Sequence, residues 1–197
     1  MIEVQFNKTY LITLNKDLVM RQTALPILQN KEAALRAEVA KIRMRIKELE
    51  LKINQHMKSL EPVERMWPEF PDIVKLKKVN YIKKKVASVT VGLVDKVEFE
   101  IKPFSIFANP SWFLKGIELL KEAIHLKVDL INEKKLFDQI EYARRKTTQK
   151  VNLYDKVQIP FLNDAIQKIK RYLEDEENLS KSSQKILKKR MEVAAVA

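Results

Sequence analysis

The sequence contains no cysteine, and only two of its 197 residues are glycine, Gly92 and Gly116. Without cysteine there is no disulfide, no thiolate nucleophile and no cysteine-based zinc site. At the usual frequency of about 7%, a chain of this length would carry about 14 glycines. So few argue against glycine-lined phosphate loops and against a fold with many tight turns. No stretch approaches the ~18 apolar residues of a membrane span. The start, MIEVQFNKTYLITLNKDL, has an early acid and no clean apolar core, so it does not read as a signal peptide. P-loop, GxGxxG and HExxH motifs are absent. The expectation is therefore a protein with no catalytic, cofactor or metal site of its own.

What the sequence does have is helix formers. Ala, Glu, Lys, Leu and Arg together make 91 of the 197 residues, close to the half-share typical of long helices. From Leu14 a heptad runs through Arg21, Leu28, Leu35, Ile42, Leu49 and His56 at position a. Position d holds Leu18, Leu25, Glu32, Val39, Ile46, Ile53 and Leu60. Eleven of these fourteen are apolar. A period of 3.5 sustained over seven heptads predicts a left-handed coiled coil. Such a helix would be on the order of 70 Å long and needs an equally long partner. Pro26 lies inside it and predicts a kink. Arg21, Glu32 and His56 interrupt the apolar seam. Polar groups so placed can fix register; the plainer expectation is an outward-turned or partly exposed side chain.

From Glu61 to Pro110 the pattern changes. Pro62, Pro68 and Pro71 end the helix. Val89 and Val91, then Val97, Phe99 and Ile101, are β-branched or aromatic with partial alternation. With Gly92 and Asp95 between them they predict a short β-hairpin over 83–103. A second long helix is expected from about Trp112 to Glu174. Its apolar or small face is Leu136, Ile140, Ala143, Thr147, Val151, Tyr154, Phe161, Ala165, Ile169 and Tyr172, with Ile166 alongside. Pro160 sits within it, without a donor and crowding the carbonyl of Lys156, at a cost of roughly 3 kcal/mol. The economical architecture is mainly α. A long antiparallel two-helix coiled coil would carry a small hairpin-containing insertion at the bend. The segments are 1–61 (first shaft helix), 62–111 (middle knob) and 112–197 (second shaft helix and basic tail).

The net charge is +12 and uneven. Residues 75–85 hold six lysines and no acid; a solvated loop or a surface for an acidic protein partner is expected there. Lys181, Lys185, Lys188, Lys189 and Arg190 form a second basic cluster, and with Trp112 they are the candidate interaction residues. An excess of this kind suits nucleic acid, an anionic membrane surface or an acidic protein. It does not choose among them.

The block ARRKTTQKVNLYDKVQIPFLNDAIQKIKRYLEDEE resembles the C-terminal signature of the D-subunit family of V-type and A-type rotary ATPases. The resemblance rests on Arg144, Arg145, Val151, Asn152, Tyr154, Ile159, Pro160 and Leu162. Ile166, Ile169 and the acidic stretch from Glu174 continue it. The basic, leucine-rich run from Lys8 to Ile46 and the order helix, β-containing middle, helix are similar too. The resemblance implies a non-catalytic central-stalk rotor shaft. Its termini would enter the bore formed by the catalytic and non-catalytic hexamer subunits. Its bend would pair with the small F-type rotor partner and dock on the funnel-shaped subunit above the membrane ring. It also implies a cytoplasmic location, peripheral to the membrane, with no span and no nucleic acid. The competing reading is a basic coiled-coil nucleic-acid-binding or scaffold protein, whose affinity would fall steeply with salt.

Overall fold

The computed structural model describes residues 5–105 and 109–196. Residues 1–4, 106–108 and 197, parts of the expected segments 1–61, 62–111 and 112–197, lie outside the described residues. Helix α1 spans Lys8–Leu60 and a 3-10 helix follows over Glu61–Glu69. Strands β1 (Val74–Val86) and β2 (Val89–Ile101) come next, then helix α2 (Trp112–Leu153). A π-helical turn at Tyr154–Gln158 leads into helix α3 (Ile159–Val196). The protein is mainly helical, with the antiparallel hairpin between its long helices.

Local chemistry accounts for these boundaries. The Asn7 Oδ1 accepts a 2.6 Å hydrogen bond from the Tyr10 N–H, satisfying one of the unpaired donors of the first turn. Helix α1 runs unbroken through Pro26, so residues 8–60 are one helix. It stops where the 3-10 helix begins with proline. At the other end of the middle segment the Phe113 N–H bonds the Pro110 carbonyl at 3.1 Å and starts α2.

The hairpin corrects the sequence reading in two places. Its turn is Ala87-Ser88, with φ of 46° and 73°, not the expected Gly92–Asp95. Two consecutive left-handed residues match the twist of the flanking strands and make the tightest connection. Gly92 instead sits inside β2 opposite Lys83, and Asp95 is the extra residue where the register passes from Asn80↔Lys96 to Tyr81↔Val94. The second correction concerns the lysine run 75–85, which is not a loop: it forms most of β1.

The chain divides into two compact units, 1–30 with 147–197 and 31–146. In the first, Leu14 of α1 packs with Leu162, Ala165, Ile166 and Ile169 of α3, bordered by Tyr10, Leu11, Leu18 and Leu173. The Phe6 and Tyr172 rings lie 5.0 Å apart, and Arg21 meets Gln158. Rising numbers on one helix meet falling numbers on the other, so the pair is antiparallel.

The second unit has two cores. Leu35, Val39 and Ile42 of α1 pack against Leu136 and Ile140 of α2 and against Val91 of β2. The hairpin tip, Val86 to Val89, joins that core. The base of the hairpin packs elsewhere: Ile73 and Val74 join Phe113 and Ile117, bordered by Phe70, Phe99, Phe104, Trp112 and Leu120. The 13-residue strands thus lie back along the helix pair of this unit.

Gly116 has a packing reason. A Cβ there would stand 2.7 Å from Phe70 Cε2 and 3.1 Å from Cδ2. The Phe70 ring cannot swing aside freely, because Trp67, Trp112 and Phe113 surround it at 5.1, 5.7 and 5.4 Å. Gly116→Ala gains about 1 kcal/mol of helix propensity, but overpacking typically costs about 1–3 kcal/mol. A net loss of about 1 kcal/mol is expected in a denaturant melt.

Candidate functional site

The feature the sequence marks out is the long apolar seam. All fourteen heptad positions of α1 are buried or half-buried. Leu14, Leu35, Val39 and Ile42 are buried; Leu18, Leu25, Leu28, Ile46, Leu49, Ile53 and Leu60 are half-buried. On the partner helices Ile140, Ile166 and Ile169 are buried, and Ala143, Val151 and Tyr154 are half-buried. Phe161 and Tyr172, expected on the packed face, are 44% and 48% exposed. Leu162 and Leu173 take their places.

The π-turn explains that one-residue displacement. In it the Ile159 N–H bonds the Tyr154 carbonyl, five residues back. A wider turn adds one residue to the count, so the seam passes from Tyr154 to Leu162 rather than Phe161. The turn also sits directly before Pro160. There the ordinary hydrogen bond is lost and the ring would crowd the preceding turn.

Polar groups in and beside the seam bind across it. In the first unit, Arg21 donates from Nε to Gln158 Oε1 at 2.7 Å, and its Nη1 bonds the Asp17 carbonyl at 3.1 Å. Gln158 closes the π-turn, so Arg21 ties it to α1. In the second unit, His56 Nε2 lies 3.1 Å from the Leu119 carbonyl. Lys134 pairs with Glu50 at 2.9 Å. Glu32 pairs with Arg36 of its own helix at 2.6 Å.

Arg45 Nε stands 3.3 Å from Glu133 Oε2. That oxygen is buried and has no hydrogen bond, so the two groups are near enough to attract but not aligned. Burial pushes the Glu133 carboxyl above its usual range, against the pull of Arg45.

The basic pair of the signature is engaged locally. Arg144 grips Glu141 with two 2.7 Å bonds, and Arg145 adds a third at 3.1 Å. Chiefly the hydrogen bonds from Arg144 hold the Glu141 carboxyl at about 2, below the usual 4.5. A depressed carboxylate stabilises the fold above the unfolded value and loses that contribution as pH falls. The Glu141 contribution is therefore whole above about pH 4.5 and fades towards about pH 2. Glu141→Gln is expected to lower the melting temperature by a few degrees at pH 7, and the gap to the parent should close in acid. Of the remaining signature residues, Leu162 is buried, Ile159 is half-buried, and Asn152 and Pro160 are exposed.

Trp112 is half-buried, its ring 5.7 Å from Phe70 and 4.8 Å from Phe113. Near it an open groove of about 1040 Å³ includes Leu51, Met57, Leu60 and Trp67 in its lining. Lys181, Lys185, Lys188, Lys189 and Arg190 are all exposed on α3, and Lys181 pairs with Glu177 at 2.7 Å. The same helix exposes Leu179, Ile186, Leu187 and Met191 at 70, 56, 59 and 73%. Sequence reasoning passed over these four, although the spacing i, i+7, i+8 marks one helix face. Among the described residues no group of three or more His, Asp or Glu side chains is placed to hold a metal ion. Among them, too, no helix is long and apolar enough to cross a membrane.

Comparison with known proteins agrees with this layout. The family of the ATP synthase D subunit matches residues 10–189. The V-type ATP synthase D subunit of Borreliella burgdorferi is 32% identical over 192 residues, covering 95% of each chain. Its counterpart in Chlamydia pneumoniae is 24% identical over 198 residues, covering 98% of this chain and 95% of that one. The one in Chlamydia muridarum is 27% identical over 107 residues, covering 54% and 53%.

Proposed function

Since the chain belongs to the ATP synthase D-subunit family, we propose that it is the central rotor shaft of a V-type ATPase. It carries rotation between the catalytic hexamer and the ion-translocating ring in the membrane. The observation that carries this reading is the paired seam, in which all fourteen heptad positions of α1 are withdrawn from solvent.

A shaft must resist twisting and sliding. Close-packed apolar contacts resist compression, and directional bonds resist slip along the axis. Arg21 to Gln158, Lys134 to Glu50 and His56 to the Leu119 carbonyl each join the N-terminal helix to its partner within a unit. A shaft must also turn in its bearing. The lysine face of α3 supplies long-range attraction to acidic rings of the hexamer. The apolar face of Leu179, Ile186, Leu187 and Met191 supplies short-range contact with the sleeve. The groove beside Trp67 and the aromatic cluster of Trp112 suit the docking of the small F-type rotor partner and the funnel-shaped subunit. The chain has no catalytic task in this scheme, and it sits at the membrane without crossing it.

Affinity capture of the tagged chain from its native host, after nuclease treatment and at moderate salt, tests the proposal. Mass spectrometry should recover the catalytic subunits and the small rotor partner. Their absence, together with binding that nuclease abolishes, would turn the reading to a basic nucleic-acid-binding coiled coil.

A further inference from the structure

Strand β1 carries an unused edge. The sheet has only two strands, so one edge of each strand lacks a strand partner. The two edges are not equivalent. Strand β2 contributes Val89, Val91 and Leu93 to the helix core, whereas the tip of β1 contributes only Val86. Between its buried first residue, Val74, and Val86, β1 is exposed apart from half-buried Val79 and Asn80. Lys77 is an extra residue in the register between Leu76 and Lys78, so the regular stretch of β1 is Lys78–Val86.

Charge along this stretch is one-sided. Lys78 faces Glu98, but Lys83, Lys84 and Lys85 face Gly92, Val91 and Thr90. Among the described residues none of these four lysines has a carboxylate within 4 Å, whereas Lys75, before the stretch, pairs with Asp72 at 3.3 Å. Lysines on an edge strand commonly keep other strands away. Here the middle of the edge is not lysine: Tyr81 and Ile82 are 53 and 55% exposed. An edge guarded only against pairing would not present an aromatic and a β-branched residue at its centre, since these favour cross-strand contact.

We infer that the Lys78–Val86 edge of β1 docks an acidic polypeptide segment in extended form, as a third strand of the sheet. Carboxylates of that segment meet Lys83–Lys85, and its apolar residues cover Tyr81 and Ile82. A polypeptide fits better than a phosphate polymer or lipid headgroups, because a strand edge offers alternating N–H and C=O groups. Only another backbone pairs with both. The inference stands apart from the shaft reading and is tested on the isolated full chain.

The probe is a 12-residue peptide of alternating Glu and Val, with a Lys-and-Val peptide as control, followed by backbone-amide hydrogen exchange. The acidic peptide should slow exchange within 78–86 at least tenfold, and the lysine peptide should not. The triple variant K83E/K84E/K85E changes exposed side chains only, so its melting curve should match the parent. It should lose the acidic peptide and gain the lysine one. Absence of protection in 78–86 would overturn the inference. So would tighter binding of inorganic polyphosphate, single-stranded oligonucleotide or phosphatidylserine vesicles without protection of those amides, which would make the edge a polyanion surface.

Discussion

Ile42→Asp is expected to lower the melting temperature by roughly 10–20 °C, which for a chain of this size corresponds to about 5 kcal/mol. Ile42 is fully buried, in one core with Leu35, Val39, Val91, Leu136 and Ile140. Truncating a side chain of that kind costs about 2–5 kcal/mol. A carboxylate adds the penalty of an unpaired buried charge, or the work of keeping it protonated. The loss is a large fraction of a typical stability of about 5–15 kcal/mol. Met44, two residues away and 65% exposed, supplies the control, since Met44→Asp should change stability by less than about 1 kcal/mol. Equal melting of the two variants would remove the seam from the account. The hairpin should report the damage as well, because Val91 loses the floor it packs on.

The second large effect is functional. Ending the chain after Ser180 removes Lys181, Lys185, Lys188, Lys189 and Arg190 together with Ile186, Leu187 and Met191. These residues are exposed, so melting should move by no more than a degree or two. Coupling in the assembled ATPase should fall roughly tenfold, the consequence of losing about 1.4 kcal/mol of contact that favours one rotary state. Restoring the lysines on a polar helix, with Ile186, Leu187 and Met191 replaced by Gln, separates the two faces. Full recovery would assign the effect to charge, and no recovery to apolar contact. Coupling that survived truncation would show that the terminal helix bears no load.

How much of this was legible depended on what the sequence had to repeat. The seam of α1 follows from one spacing maintained for seven heptads, and each residue in it reports the same face. The lower half of the second seam did not follow. The π-turn at Tyr154–Gln158 inserts one residue, and a regular period carried past it lands on Phe161 and Tyr172 instead of Leu162 and Leu173. Pro160 was the visible sign of a defect; the direction of the slip depended on the hydrogen bond from Ile159 to Tyr154, which no residue type announces.

The hairpin turn was hidden for a different reason. Ala87-Ser88 carries neither glycine nor asparagine, although both residues have positive φ. The one glycine nearby, Gly92, lies within the strand, its missing Cβ position 3.8 Å from Tyr81 Cβ. The lysine run looked like a loop because charge and β-branching conflict; an exposed outer strand reconciles them. The apolar face of the terminal helix was overlooked because the lysines between its members dominate the composition.

The central claim is that this chain turns. Since it contains no cysteine, Ser88→Cys at the hairpin turn gives it a single thiol, labelled before reassembly with the other subunits. The experiment attaches a bead or gold rod to that thiol, fixes the catalytic hexamer to a surface and supplies ATP. Sustained rotation in one direction, stopping when ATP is withdrawn, is the predicted result. A probe that stays at a fixed angle while the same complexes hydrolyse ATP would contradict the account.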